Sequence, residues 1–154
     1  MNYSIDTSAI LHAWRRAYPP EVFPALLEKL NELVDRGELL ASQEVLFELE
    51  RKDDDVYRWA RGRRRMFVPT DEDVQRAVQN ILRDYPGLVD PKRERSGADP
   101  FVVAVAQVKG CTVVTNERPT TSPTRVKIPT VCQALGIRCL DLLEFIREKG
   151  WVFR

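Results

Sequence analysis

The chain predicts an α/β sandwich with a mainly parallel central sheet, on three observations. Short apolar runs alternate with amphipathic helical stretches along its whole length. The run from Cys111 to Thr115 is apolar in the continuous style of a strand inside a parallel sheet. Two acids, Asp6 and Glu117, close strands, and in open α/β sheets ligands bind beyond the carboxyl ends of the strands.

The elements follow in order. The first strand covers about Asn2 to Asp6, and Ser8 is placed to cap a helix through about Arg16. Pro19 and Pro20 break that helix. Phe23, Leu26, Leu27, Leu30, Leu33 and Val34 recur at helical spacing, with Gly37 as their stop. Leu39 to Ala41 makes the second strand, and Ser42 caps the helix carrying Glu44 and Glu48. A polar helix over about Asp54 to Arg61 leads to Gly62 and a third strand at Met66 to Val68. Thr70 with Asp73 reads as a capping-box variant for a helix with Val74, Ala77, Val78, Ile81 and Tyr85 on one face. Pro86 to Gly97 is a charged, irregular connection, after which Asp99 opens the most apolar helix, FVVAVAQV. Beyond the fourth strand, Arg118 to Pro129 is a loop rich in Pro, Thr and Ser. A short helix from about Thr130 ends at Gly136, and Ile137 to Leu140 is the last strand. Asp141 with Glu144 forms a capping box for the closing helix, which Gly150 ends.

At 154 residues, 44% hydrophobic and 31% charged, the chain reads as one globular domain over 1–154 and not as a disordered one. A net charge of +1 does not by itself point to nucleic acid, so the distribution of charge carries the argument. Arg58, Arg61, Arg63, Arg64 and Arg65 form one basic block, and Lys92, Arg93 and Arg95 another, with Asp53, Asp54 and Asp55 against them. The three cysteines, Cys111, Cys132 and Cys139, have neither disulfide nor zinc spacing and sit in apolar contexts, as buried thiols in a reducing compartment do. No apolar run reaches the length of a membrane span and MNYSID is not a signal peptide, so a cytoplasmic protein with no membrane partner is expected.

Four acids carry the chemistry: Asp6, Glu48, Asp99 and Glu117. Each has an ordinary structural alternative. Asp6 can satisfy turn amides, Glu48 lies on a helix face with Glu44, Glu117 is a polar strand end, and Asp99-Pro100 has the form of a helix N-cap, as does Ser96 with Asp99. Gathered at one end of a parallel sheet, the four would need a cation to offset their repulsion. Carboxylates without histidine or thiolate favour magnesium or manganese over zinc, and such an ion assists phosphodiester hydrolysis. Ser8, Thr115 and Asn116 are placed to orient ligands or bound water. The single histidine, His12, reads as packing or surface. Thr120, Thr121 and Ser122 form a polar loop beside Glu117.

The motifs resemble those of the PIN domain, the nuclease fold of VapC-type toxins. IDTSAIL is similar to the family's first motif, SQEVLFEL to its second with Glu48 in the acidic register, SGADPFVVAVA to its third and VVTNE to its fourth. The wording of SGADPF, VVTNE and VKIPTVCQALGI is closest to a poorly characterised PIN-like subfamily. The resemblance implies a Rossmann-like three-layer α/β/α sandwich and an endoribonuclease dependent on Mg2+ or Mn2+. It implies Asp6, Glu48, Asp99 and Glu117 as catalytic and metal-ligating residues, often a homodimer, and in many members a cognate antitoxin protein. RNA would then run along Arg61, Arg63, Arg64, Arg65, Lys92, Arg93 and Arg95 through its phosphates.

Two features depart from the family pattern. The fourth acid is usually aspartate, whereas Glu117 is one methylene longer, and the stretch from Asp84 to Arg95, which includes Asp90, is unusual in compact toxins. A PIN-like module that binds RNA or protein without cutting is the alternative reading. A haloacid dehalogenase-type phosphatase wants a second aspartate where this chain has Ser8.

Overall fold

The computed structural model describes residues 1–89, 97–119 and 126–153. Its strands are β1 (Tyr3–Ile5), β2 (Leu39–Ser42), β3 (Phe67–Val68), β4 (Thr112–Val114) and β5 (Cys139–Leu140). They form one sheet in the order β3-β2-β1-β4-β5, and every pairing is parallel. The expected mainly parallel sheet is wholly parallel among the described residues.

Parallel neighbours need crossovers, and helices fill them. These are α1 (Thr7–His12), α2 (Pro24–Asp35), α3 (Gln43–Lys52), α4 (Asp54–Arg61), α5 (Glu72–Asp84), α6 (Asp99–Lys109), α7 (Ile128–Leu135) and α8 (Leu142–Lys149). The three layers are visible in β1 alone, because successive strand residues face opposite sides. The Ser4 hydroxyl donates to the Val102 carbonyl of α6 at 3.0 Å. Tyr3 meets Phe145 of α8 edge-on, with centroids 4.8 Å apart.

Helix α6 packs across β1, β2 and β4 and against α5 and α7. Val102 through Ala106 are buried all round, as the apolar run FVVAVAQV predicts. Three β-branched valines weaken a helix in isolation, so burial in the central layer holds α6 together. It ends where Gly110 takes a left-handed conformation at φ 68, turning the chain into β4.

Several local expectations change. The first helix is α-helical only to His12 and continues as a π-helical turn over Ala13–Ala17. Ser8 does not cap it: the chain enters at Asp6 without a side-chain cap, and the Ser8 hydroxyl turns to Asp6 instead. In α5 the cap is Asp71, whose carboxylate accepts the Val74 amide, and Thr70 accepts from Gln43. The run Asp53 to Asp55 serves two ends, because Asp53 is a helix cap while Asp55 meets Arg58 of the arginine block at 3.9 Å. Asp53 accepts the Asp55 and Val56 amides at the start of α4 and pairs with Arg15. Pro86–Leu88 is a 3-10 turn within the stretch expected to be irregular. Ser42 caps α3 and Asp141 with Glu144 closes a capping box on α8, both as expected.

Cys111 and Cys132 are buried, Cys139 is half-buried, and all three are free thiols. Among the described residues no helix is long and apolar enough to cross a membrane.

Candidate metal centre

The sheet order sets the position of the site. From β1 the chain winds outward through β2 to β3, then returns to the other side of β1 for β4 and β5. The crevice between the carboxyl ends of β1 and β4 is therefore the topological switch point, where such folds bind ligands. Asp6 follows β1 there, and Thr115, Asn116 and Glu117 follow β4.

Asp6, Asp99 and Glu117 converge, each offering a carboxylate oxygen within 4.8 Å of the others. Asp6 and Asp99 are buried and Glu117 is half-buried. The longer Glu117 thus stays within the group despite its extra methylene. Asp99 lies in the first turn of α6, one residue past the cap position held by Ala98, and makes no capping bond. Its carboxylate is released to the crevice. Ser96, the other half of the alternative capping box, lies outside the described residues.

Two hydroxyls hold Asp6. Ser8 Oγ donates to Oδ2 at 2.6 Å and Thr115 Oγ1 donates to the same oxygen at 2.8 Å. Backbone amides hold the hydroxyls in turn: Asn116 donates to Ser8 Oγ at 3.0 Å and Glu117 to Thr115 Oγ1 at 3.1 Å. Asn116 therefore takes part through its backbone, and its side chain is exposed. Both hydroxyls address Oδ2, and among the described residues none donates to Oδ1, the oxygen placed to meet a cation.

Glu48 does not join this convergence. Its Oε1 accepts the Ala98 amide at 2.9 Å and its Oε2 meets Lys52 Nζ at 3.3 Å. A carboxylate on α3 thereby fixes the turn that delivers Asp99 from α6. Lys127 reaches Glu117 at 3.5 Å. Neither lysine was singled out from the sequence.

Unpaired negative charge shows in the acidities. Burial drives the Asp6 carboxyl from an ordinary 3.8 up to about 6. The Ser8 hydrogen bond opposes that rise and the neighbouring Glu117 adds to it. Asp99 is pushed well above the carboxylate range, by burial first and then by Asp6 and Glu117. Such a site holds protons unless a cation replaces them.

The donor set fits magnesium or manganese. It is all oxygen, largely buried and over-charged, and bonds of about 2.1 Å to such an ion place opposite ligands about 4.2 Å apart. The observed limit of 4.8 Å lies a fraction of an ångström beyond that.

The arginine block is elsewhere. Arg61, Arg63, Arg64 and Arg65 line a groove of about 400 Å³ with Val34 and Asp35. Those two residues end α2 just before β2, and Arg64–Met66 is a 3-10 turn leading into β3. In a parallel sheet this is the amino end of the strands, opposite the acids. Arg63 and Arg61 lean over Trp59 and Tyr57 there, each 5.9 Å from the ring centre. Asp90, Lys92, Arg93, Arg95, Thr120, Thr121 and Ser122 lie outside the described residues.

Fold and site together define an α/β/α sandwich with an all-parallel sheet and a three-carboxylate cluster at its switch point. The chain belongs to the DUF4411 family, described as a domain of unknown function, which matches residues 3–153. No curated protein matches it in sequence. Its structure is similar to the crystal structure of FitAcB from Neisseria gonorrhoeae, with a TM-score of 0.54 and 16% identity, covering 90% of this chain and 96% of that chain. At that identity the likeness speaks for the fold.

Proposed function

We propose that this chain is a divalent-metal-dependent ribonuclease, the toxin of a toxin–antitoxin pair. The observation that carries the reading is the convergence of Asp6, Asp99 and Glu117 within 4.8 Å at the switch point of a PIN-like sheet. Asp6, Asp99 and Glu117 would hold Mg2+ or Mn2+. Bound there, the ion would supply Lewis-acid activation of water and of the scissile phosphate. Ser8 and Thr115 keep Asp6 oriented, and Glu48 holds Asp99 through the Ala98 amide. A cognate antitoxin and a homodimer belong to the same proposal, on the family resemblance alone.

The test is incubation of purified protein with a mixed RNA pool in manganese, magnesium or EDTA, beside Asp6→Asn. Cutting by the wild type in metal only, and none by the variant, is expected. Equal cutting by the variant would sink the mechanism.

The cluster also predicts proton release. Asp6 and Asp99 hold protons above the ordinary carboxylate pKa, so an incoming ion must displace them. Apparent Mn2+ affinity is expected to rise with pH, by up to about tenfold per unit for each proton displaced, the Asp6 share ending above about 6 and the Asp99 share continuing beyond it. Calorimetry in two buffers of different ionisation enthalpy reads this directly, and a pH-independent affinity would contradict it.

One observation favours the second reading, a binding module that does not cut. Lys127 reaches Glu117 of the cluster and Lys52 reaches Glu48 beside it, so two of the four acids have a cationic partner within the chain. Manganese titration separates the two, because a module neutralised by its own lysines takes up no ion.

A further inference from the structure

Arg61, Arg63, Arg64 and Arg65 sit at the far end of the sheet, so among the described residues the basic groups near the acidic cluster are the ones placed to meet a substrate phosphate there. Two cavities flank the acidic cluster and share two residues, His12 and Asn116. The first, about 430 Å³, is walled by Ser8, His12, Arg15 and Arg16. The second, about 650 Å³, is walled by Thr115, Glu117 and Arg118, and runs on to Asp141 and Glu144. Both fall within the ~300–1,000 Å³ typical of small-ligand sites. Ser8 and Thr115, which hold Asp6, and Glu117 of the cluster line these lobes, so the shared wall adjoins the acidic site.

The charges of the lobes differ. Among the described lining residues the second lobe has three acids, Glu117, Asp141 and Glu144, beside Arg118, with Lys127 reaching Glu117, whereas the first carries two arginines and no acid. Arg15 is clasped by Asp53 and Asp55. Arg16, one residue on, is exposed. Ser8, His12 and Arg16 recur every four residues, so the first helix and its π-helical turn set the three along one wall of this lobe, with the Ser8 hydroxyl already engaged by Asp6 and the Asn116 amide.

We infer that the lobe walled by Ser8, His12 and Arg16 is the subsite for a backbone phosphate of single-stranded RNA adjoining the bond at the acidic cluster. This rests on the ribonuclease reading for the identity of the substrate. Arg16 supplies the charge, His12 lines the junction between the lobes, and the acidic second lobe turns the backbone phosphate away from itself.

The test is fluorescence anisotropy with a labelled single-stranded RNA on the Asp99→Asn chain, which leaves the probe uncut, over a range of salt. Adding Arg16→Gln is expected to weaken binding about fivefold to tenfold at 0.1 M salt. It should also flatten the slope of log K against log salt by about 0.7, the loss of one single-strand phosphate contact. Arg64→Gln with Arg65→Gln, on the far groove, is expected to change neither. Loss of slope with the far pair only, or no RNA binding by any chain, would overturn the subsite. Wild-type cleavage is measured in parallel. Binding that depends on Arg16 without cleavage would leave the subsite standing and remove the nuclease. Cleavage with binding indifferent to Arg16 would do the reverse.

Discussion

Asp99→Asn is expected to abolish metal-dependent cleavage, by at least about 10²–10³-fold, while making the metal-free protein more stable. The two effects have one cause. Asp99 sits in a buried group with Asp6 and Glu117, and its folded-state pKa is raised well above the unfolded one. A group shifted that way stabilises the fold fully below the unfolded pKa, near 3.8, and loses that contribution as pH rises toward the folded value. Asparagine keeps the shape and drops the titration. At pH 8 in EDTA the variant should therefore gain about 1–2 kcal/mol, or about 2–8 °C in Tm, and the two proteins should converge near pH 4. Added Mn2+ should raise the Tm of the wild type and not of the variant. Thermal unfolding at the two pH values decides it, and a variant less stable than wild type at pH 8 would show that the acids do not strain the fold.

Glu48→Ala and Glu48→Gln are expected to part company. Alanine leaves the buried Ala98 amide without its acceptor, at a cost of about 1–3 kcal/mol, and frees the turn that carries Asp99. Cleavage and Mn2+ affinity should fall with it. Glutamine keeps an oxygen for that amide and gives up only the charge near Lys52. It should restore stability and most of the metal affinity. If glutamine restores stability but Mn2+ binding stays as weak as in the alanine variant, Glu48 contributes its charge to the ion directly. Melting curves with manganese titration on both variants measure this.

The sheet and the placement of its acids were legible because both are local patterns. Asp6 and Glu117 each close an apolar run, and a parallel sheet brings such ends together. What stayed illegible depends on distant partners. The acceptor for the Ala98 amide lies fifty positions earlier, and Lys127 meets Glu117 from the far side of a loop. Lys52 was within reach, being four residues after Glu48 on one helix face. Asp99 was ambiguous because Asp-Pro fits an N-cap. Only the start of α6 at Asp99 itself, with Ala98 before it, frees the carboxylate. The arginines between 61 and 65 cluster in sequence, but the direction of β3 decides which end of the molecule they occupy. Ser8 and Thr70 look like caps by residue type, and a stronger nearby acceptor or donor claims each.

Ser8 and Thr115 grip one oxygen of Asp6 from positions 107 residues apart. The cluster accordingly has no existence in any amino-terminal portion of the chain: Asp6 is made first and must wait for β4 and the Thr115 loop. At a synthesis rate of about 5–20 residues per second, that wait lasts about 5–20 s. Assembly of the acidic centre is thereby deferred until most of the chain has been synthesised.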